Sequence, residues 1–364
     1  MNSKVKYLVI TPTYNEAENV EPFISAVLAV PGEVDILIVD DNSPDKTAQK
    51  IKDLRFKIEE WRDRVYILER KGKLGLGTAY ADGFVWAKKR NYDFVVSMDA
   101  DFSHEPKDLP RLLNADKNVD IVTGSRYIKG GKVVGWNLWR YLNSHFANII
   151  VRIALGLPLK DATAGFKRYS KKAVDYLLTQ KLVASGYAFQ VETVFLGKQA
   201  CLTMSEVPIT FVDRRAGESK IAGEIKKSVK IVWQLFIRRK SVRQLAKFSV
   251  VGLGNFIFDS SIYVFETRVF KIGAIAAKTI SFIASATSSY YFNRKWTFRS
   301  THKNITKQYI KFILVAAIGL GVNVVVFYIS HSIFHIYDLI SLVNAAAVTT
   351  IWNFTANKWW TFKH

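Results

Sequence analysis

The feature that most constrains the fold is a series of four apolar segments in the last third of the chain. They cover about 248–265, 272–292, 312–334 and 339–356, and each is long enough, or nearly so, to cross a bilayer as a helix. The pair Lys247-Phe248 recurs as Lys311-Phe312, and residues 293–298 recur as 357–362, both offset by 64 positions. The sequence therefore predicts a four-helix transmembrane domain at 248–364, built as a duplicated helical hairpin.

The distribution of charge supports a membrane domain. Residues 1–213 hold 30 Lys/Arg against 26 Asp/Glu, whereas 214–364 hold 22 against five. A part that is both apolar and basic argues against nucleic-acid binding and favours a membrane domain with cationic flanks. Six Lys/Arg and no acid lie at 294–311. By the positive-inside rule, we expect both termini and the N-terminal domain in the cytoplasm.

The segment 214–247 joins the two parts and is strongly basic. It holds 11 Lys/Arg and two Glu, interleaved with apolar residues at roughly helical spacing. Basic amphipathic helices of this kind lie on anionic membrane surfaces. We expect a hinge of interfacial helices here; the alternative is a solvated face on a helix of the N-terminal domain.

Two charged residues, Asp259 and Lys278, fall inside the first and second apolar segments. Both lie at similar distances from the turn between the segments, so the two side chains can meet. Charges within a membrane often mark functional sites. We favour the alternative, a structural ion pair that locks the first hairpin.

The N-terminal part alternates short apolar runs with helical patterns. Strands are predicted at 7–10, 35–40, 64–68, 94–98 and 121–126, with helices between them. This alternation predicts an α/β domain over residues 1–213, with a parallel sheet and helices on both faces. Polar residues follow the strands, where ligands of α/β proteins bind.

Two carboxylates, Asp99 and Asp101, end the fourth strand. If the backbone stays extended, both side chains point the same way, and their repulsion calls for a cation. Mg²⁺ or Mn²⁺ held with a substrate diphosphate fits these oxygens, and Ser103 can supply a third. The alternative is a solvated pair that caps the following loop. We interpret His104 as a loop hydrogen-bonding residue rather than a general base.

Other polar features are weaker signals. The glycines at 72, 75 and 77 lack the spacing of a phosphate-binding loop, so we interpret them as an ordinary helix entry. Arg126, Arg140, Arg214 and Arg215 follow or flank predicted strands, and arginine grips phosphate through paired donors. Several such cations beside a carboxylate pair suggest two phosphorylated substrates.

Together these motifs resemble a known family. Residues 11–16, 39–45 and 99–104 are similar to the GT-A fold of family-2 inverting glycosyltransferases. Residues 124–127, 130–131, 161–166, 186–190 and 214–220 narrow the resemblance to dolichol-phosphate (polyprenol-phosphate) mannose synthases. The four apolar segments resemble GtrA-like membrane domains, which accompany such enzymes. The resemblance therefore covers most of the chain.

The resemblance implies transfer of mannose from GDP-mannose to a polyprenyl (dolichyl-type) phosphate, with inversion and with Mg²⁺ or Mn²⁺. By motif position, the resemblance implies that the catalytic residues are Asp99, Asp101, Arg126 and Arg140. It implies that the donor is bound by Pro12, Tyr14, Glu16, Val39, Asp41, Asp99, Ala100, Asp101, Arg214 and Lys220. The implied metal ligands are Asp99, Asp101 and Ser103, and the implied lipid-phosphate ligands are Arg126, Arg140 and Ser144. Membrane lipids are further expected partners.

Three alternatives stay open at this stage. Residues 161–165 depart from the Asp-Leu-Thr-Gly that the family often has, so the same enzyme type using UDP-glucose is the nearest alternative. A lipid-linked sugar translocator with a nucleotide-binding domain is a different class that fits the duplicated hairpins. A nucleotidyltransferase fits the carboxylate pair but leaves the membrane domain unexplained.

Overall fold

The computed structural model of the chain describes residues 5–186, 188–213 and 221–363, with the side chains of 221–226 left aside. The chain divides into two compact units, Met1–Phe236 and Ile237–His364. The division falls inside the segment predicted as a hinge. Arg214 and Lys220, predicted to bind the donor, lie outside the described residues.

The first unit is an α/β domain. Its strands are β1 (Tyr7–Thr13), β2 (Val34–Asp40), β3 (Val65–Glu69), β4 (Phe94–Ser97), β5 (Ile121–Ser125), β6 (Lys132–Val134), β7 (Lys167–Ser170), β8 (Met204–Pro208) and β9 (Thr210–Val212). Its helices are α1 (Val20–Leu28), α2 (Thr47–Lys57), α3 (Leu76–Lys89), α4 (Leu109–Leu113), α5 (Leu138–Leu155), α6 (Lys171–Leu178), α7 (Phe189–Gln199) and α8 (Ile221–Arg238).

The main sheet of this unit is mixed, not parallel throughout as predicted. Its strand order is β3-β2-β1-β4-β7-β5-β8. Most neighbours are parallel, but β7 is antiparallel to both β4 and β5. The sequence of β7, Lys-Arg-Tyr-Ser, has no apolar run, so hydrophobic patterning gives no sign of this strand. A separate small sheet pairs β6 with β9 in parallel.

The sheet has a hydrophobic core on each face. In β2, Leu37 and Val39 point into one core, while Ile36 and Ile38 point into the other, because side chains of a strand alternate between faces. The first core is closed by α3, α6 and α7, and the second by α1 and α4. Because helices cover both faces of the sheet, the ends of its strands are left accessible to a ligand.

The helix α8 packs against the first unit and also exposes apolar side chains. Leu235 is fully buried in the first core, and Ile231 and Val232 pack against it. On another side of the helix, Val229 and Trp233 are exposed, one turn apart. One face of α8 therefore belongs to the first unit, and apolar side chains on another face are exposed.

The second unit consists of two helical hairpins. Its helices are α9 (Lys240–Arg268), α10 (Ala274–Phe292), α11 (Ile305–Tyr328) and α12 (Asp338–Ala356). The last three continue into π-helical turns at Asn293–Thr297, Ile329–Ile333 and Asn357–Thr361. Among the described residues, three helical stretches are long and apolar enough to span a membrane: Lys240–Arg268, Ile305–Ile333 and Asp338–Thr361. The helix α10 forms at the second of the four predicted spans, 272–292, but it is not one of these three stretches.

The 64-residue repeat is visible in the packing. Lys247 lies 5.1 Å from the centre of the Trp296 ring, and its counterpart Lys311 lies 5.4 Å from that of Trp360. The repeat partners Phe298 and Phe362 stack on each other at 4.7 Å. The two hairpins therefore use the same local contacts and meet through equivalent aromatic residues.

The charged residues of the first hairpin meet, as predicted. Lys278 Nζ lies 2.5 Å from Asp259 Oδ2, and the Ser281 hydroxyl donates to Asp259 Oδ1 at 2.9 Å. Lys278 balances the charge of Asp259, and each carboxylate oxygen of Asp259 has a partner on α10. This contact confirms the expected ion pair of the hairpin.

Breaking this pair should destabilise the membrane unit. Lys278→Leu leaves an unpaired carboxylate within a span, a cost on the order of 3 kcal/mol. We expect a clearly lower thermal unfolding temperature for the full-length protein in detergent. The double variant Asp259→Leu/Lys278→Leu removes both charges and should recover most of the loss. Equal stability of the wild type and the single variant would contradict a structural role for the pair.

Candidate active site

Three parallel neighbours, β2, β1 and β4, bring three polar loops to one edge of the sheet. The first two loops are joined by hydrogen bonds: the Thr13 hydroxyl donates to Asp40 Oδ1 at 2.9 Å, and the Asn15 N–H donates to Ser43 Oγ at 3.1 Å. The third loop follows β4 and carries Asp99 and Asp101. The edge is therefore a connected polar surface at the carboxyl ends of the strands, where α/β proteins bind ligands.

Asp41, predicted to bind the donor, is a buried carboxylate with a partner on each oxygen. Its Oδ1 lies 2.7 Å from Arg70 Nη1, and its Oδ2 accepts the Gly75 N–H at 3.3 Å. Arg70 also pairs with Asp82 through Nε at 3.0 Å. The sequence analysis missed Arg70, although an arginine directly after β3 was the available signal. Asp41 is thus held in one orientation at the edge of the sheet.

The remaining donor-side residues differ in accessibility. Tyr14 and Glu16 are half-buried in the first loop, and Lys73 Nζ lies 4.1 Å from the centre of the Tyr14 ring. Pro12 lies within β1, and the side chain of Val39 is fully buried in the core. Val39 can therefore offer a ligand only its backbone, whereas Tyr14 and Glu16 can offer side chains.

The glycine-rich stretch serves close packing. Gly75 has φ +103°, which favours glycine, and a Cβ on Gly77 would lie 2.3 Å from the Ala184 carbonyl oxygen. The Gly77 N–H donates to the Ser185 carbonyl oxygen at 2.8 Å. Because α3 begins at Leu76, the interpretation as a helix entry is confirmed.

The carboxylate pair sits in a turn rather than on an extended strand. β4 ends at Ser97, and Phe102 has φ +58°. Asp99 Oδ1 accepts the Tyr80 hydroxyl at 3.0 Å. Asp101 Oδ1 accepts the Ser103 N–H at 3.0 Å and also the Ser103 hydroxyl. The two carboxylates are therefore oriented by separate partners, not by the alternation of a strand.

The surroundings of the pair fit a hard divalent cation. A Cβ on Gly165 would lie 3.4 Å from Asp99 Oδ2 and 3.1 Å from His104 Cε1, so glycine leaves room beside this oxygen. Ser103 is buried and donates its hydroxyl to Asp101, which positions that carboxylate. Among the described residues, no group of three or more His, Cys, Asp or Glu is arranged to hold a metal. An ion at this pair would need substrate phosphates or water, as is usual for Mg²⁺.

His104 is a buried hydrogen-bonding residue, as interpreted from the sequence. Its Nδ1 accepts the Asp99 N–H at 3.4 Å, and its ring packs against Phe166 and Phe211. Burial lowers the pKa of His104, although the nearby Asp99 and Asp101 act in the opposite direction. The imidazole is therefore neutral at pH 7 and holds the backbone of the acidic loop.

Arg126, predicted to bind phosphate, forms a buried ion pair with Asp161. Arg126 Nε and Nη2 each donate to Asp161 at 2.7 Å, and Nη2 also donates to the Thr163 hydroxyl at 2.8 Å. Burial opposes both charges, but the Arg126 guanidinium holds the pKa of Asp161 below its usual range. Within the part of the chain that the structure describes, these bonds leave Nη1 of Arg126 for another acceptor.

Arg140 and Ser144 lie one turn apart on α5. The Asn137 side chain caps this helix by accepting the Arg140 N–H at 2.8 Å. Arg140 Nη1 lies 2.6 Å from Asp213 Oδ2, and Ser144 Oγ lies 3.0 Å from the Tyr127 hydroxyl. Two residues assigned to the lipid phosphate therefore share one helix, and each is oriented by a partner outside it.

A buried lysine near the site was not found by the sequence analysis. Lys167 donates to the Ala164 carbonyl oxygen and to Gln190 Oε1, the latter at 3.3 Å. Burial lowers its pKa from 10.5 to about 7, although Asp161 acts in the opposite direction. Lys167 lies next to Arg168 and outside any apolar run, so no sequence signal marked it as buried.

Two parts of the chain match known protein families. Residues 8–178 match Glycosyl transferase family 2, and residues 247–362 match the GtrA/DPMS transmembrane domain. The chain is thus a glycosyltransferase with a GT-A-like α/β domain followed by membrane helices.

Similar proteins narrow the class. A dolichol-phosphate mannosyltransferase of Pyrococcus furiosus is 34% identical over 89% of this chain and 90% of its own length. An undecaprenyl-phosphate mannosyltransferase of Micrococcus luteus is 40% identical over 61% of this chain and 89% of its own. A polyprenol monophosphomannose synthase of Mycolicibacterium smegmatis is 40% identical over 59% of this chain and 81% of its own length. This chain belongs to the family of polyprenyl-phosphate mannosyltransferases.

The depressed pKa of Lys167 predicts a pH dependence of stability. Between about pH 7 and its unfolded value of about 10.4, the unfolded chain binds a proton at this lysine that the folded chain does not. This lysine should therefore make the free energy of unfolding rise with pH across that window. In Lys167→Met the contribution is absent, so the wild type should gain thermal stability relative to the variant between pH 7 and 9.

The comparison needs a matched lysine. Lys171→Met, at an exposed position on α6, should leave the pH dependence of the wild type unchanged. Unfolding temperatures of all three full-length proteins in detergent, measured at several pH values, test this directly. Parallel curves for the wild type and Lys167→Met would refute the depressed pKa.

Proposed function

We propose that this protein transfers mannose from GDP-mannose to a polyprenyl phosphate of the dolichyl type, with inversion, to give polyprenyl phosphate β-mannose. One observation carries the proposal. The carboxylates that suit a metal–diphosphate and the arginines that suit a phosphate are linked through one residue, because the Phe211 ring contacts both His104 and Arg126, at 5.6 and 5.3 Å. The names of the relatives, in turn, support mannose and a lipid phosphate as substrates.

The chemistry needs positioning and charge neutralisation more than proton transfer. An oxygen of the acceptor phosphate attacks the anomeric carbon of mannose, and the bond from this carbon to the diphosphate oxygen breaks. The acceptor is already an anion, so no strong general base is required. This agrees with His104, whose Nδ1 already accepts a backbone N–H. Direct attack from the side opposite the leaving group inverts the anomeric centre.

The donor half of the proposed site is the edge formed by the first three loops. Tyr14, Glu16 and Asp41 would hold the guanosine, with Pro12 and the backbone of Val39 beside it. Asp99 and Asp101, with Ala100 between them, would hold Mg²⁺ or Mn²⁺. Tyr80 orients the Asp99 carboxylate, and Ser103 orients that of Asp101. A bound divalent ion would stabilise the negative charge that builds up on the leaving diphosphate.

The acceptor half is formed by arginines. Arg126 would use its remaining donor, Nη1, and Arg140 and Ser144 would complete the phosphate site from α5. By motif position, Arg214 and Lys220, which lie outside the described residues, would bind the donor. Cations between two anionic substrates relieve the repulsion that otherwise keeps the reacting atoms apart.

We further propose that the catalytic unit lies on the cytoplasmic membrane surface. Exposed apolar residues recur along α5 at Leu142, Phe146, Ile150 and Ile153, about one turn apart, and α8 adds Val229 and Trp233. These stripes suit the boundary between head groups and acyl chains, and the 11 cations of 214–247 suit anionic lipids. The cation-rich connection at 294–311 supports a cytoplasmic location.

A donor screen tests the proposed reaction. The full-length protein in detergent would be given Mn²⁺, a polyprenyl phosphate and, separately, GDP-mannose or UDP-glucose, and the lipid product followed by mass. We expect a mannolipid from GDP-mannose and no product after EDTA. If UDP-glucose gives a glucolipid and GDP-mannose gives no product, the reaction type is supported but mannose as the transferred sugar is refuted. Tight nucleotide binding without any product would favour a translocator.

The carboxylate pair should be essential for turnover but not for folding. Asp101→Ala removes one proposed metal ligand, so we expect mannolipid formation to fall at least about a hundredfold, with an unchanged unfolding temperature in the absence of metal. The matched control is Asp53→Ala, at an exposed position on α2, which should retain full activity. Full activity of Asp101→Ala would refute the metal assignment.

A further inference from the structure

Two aromatic residues lie between the charged groups of the proposed acceptor site and the loop that carries the carboxylates. Trp136 joins β6 to α5, directly after Gly135, whose φ is +87°. Phe211 is in β9, the strand paired with β6, and its ring contacts that of Trp136 edge-on at 5.4 Å. The small two-stranded sheet therefore presents the two rings as one unit.

The indole of Trp136 contacts both proposed phosphate ligands. Arg140 Cζ lies 4.7 Å from the centre of the Trp136 ring, and Arg126 Cζ lies 5.9 Å from it. Guanidinium groups are attracted to aromatic faces, most strongly to that of tryptophan. One ring thus contacts two guanidinium groups, each of which is also paired with a carboxylate.

The second ring extends this arrangement to the acidic loop. Phe211 and His104 form an antiparallel backbone bridge, and their rings pack at 5.6 Å. The next residue, Val212, donates its N–H to the Ser103 carbonyl oxygen at 3.1 Å. The aromatic pair is therefore in continuous contact with the segment that presents Asp99 and Asp101.

The two arginines depend on this support to different degrees. Arg126 is buried and held by three side-chain bonds to Asp161 and Thr163. Among the described residues, Arg140 has one ion pair, with Asp213, and its side chain is 34% exposed. Without the indole, Arg140 gains rotational freedom that Arg126 does not, because a single bond leaves most of its rotamers accessible.

We propose that Trp136 is a positioning residue for the acceptor phosphate, acting mainly through Arg140, with Phe211 fixing its distance from the carboxylate loop. This inference rests on the proposed transfer to a lipid phosphate. On this inference, Trp136 affects kcat/KM for the acceptor but does not affect KM for the donor nucleotide.

The test compares Trp136→Leu, which removes the aromatic face, with Trp136→Tyr, which keeps one. In the full-length protein, kcat and KM would be measured for polyprenyl phosphate and, separately, for GDP-mannose. Trp136→Leu should lower kcat/KM for the acceptor about three- to thirtyfold, with KM for GDP-mannose unchanged. Trp136→Tyr should restore much of the loss.

Two controls separate positioning from general stability. Trp86→Leu removes a comparable contact elsewhere, since Arg90 Cζ lies 3.8 Å from the Trp86 ring, and it should not alter the acceptor KM. In an Arg140→Leu background, Trp136→Leu should cost little more, because the residue through which it acts is already absent.

The outcomes distinguish this inference from the proposed function. A wild type that forms no mannolipid refutes the proposed function itself. A wild type that is active, with Trp136→Leu raising both KM values together or leaving kcat/KM for the acceptor unchanged, refutes only the positioning role. Full additivity with Arg140→Leu would also overturn it.

Discussion

The order of three neighbouring parallel strands is the constraint on which the rest of the catalytic unit depends. Because β2, β1 and β4 are adjacent and run the same way, the residues after them meet at one edge of the sheet. Both faces of the sheet are covered by buried apolar residues, so this edge is where polar side chains can gather. Asp41 and Asp99 are 58 positions apart in the chain, yet the topology alone brings their loops together.

Much of this arrangement could be predicted from the sequence, and the exceptions have a physical reason. Apolar runs revealed the central strands, but β7 escaped because its buried residues include Lys167 and Arg168. Arg168 is fully buried since its guanidinium donates to the carbonyl oxygens of Leu112 and Ala115, at 3.0 and 2.8 Å. A polar side chain satisfied by distant backbone groups looks, in the sequence, like an exposed one.

The same limit applies to the site. Residue types and positions indicated the acids and arginines, but not the partners that orient them. Asp41 is held by Arg70, Asp99 by Tyr80, and Arg126 by Asp161. Each partner lies at least 19 positions away in the chain, so the local sequence does not reveal the pair. Sequence reasoning therefore found the groups suited to the chemistry and missed the scaffold that holds them in place.

The two hairpins of the membrane unit, alike in packing, differ in charge, and this has a consequence for biogenesis. At the positions equivalent to Asp259 and Lys278, 64 residues later, the second hairpin has Asn323 and Leu342. The second hairpin can thus enter the bilayer one helix after the other without exposing a charge. A lone Asp259 in lipid is costly, so the first hairpin is favoured to leave the translocon with its two helices already paired.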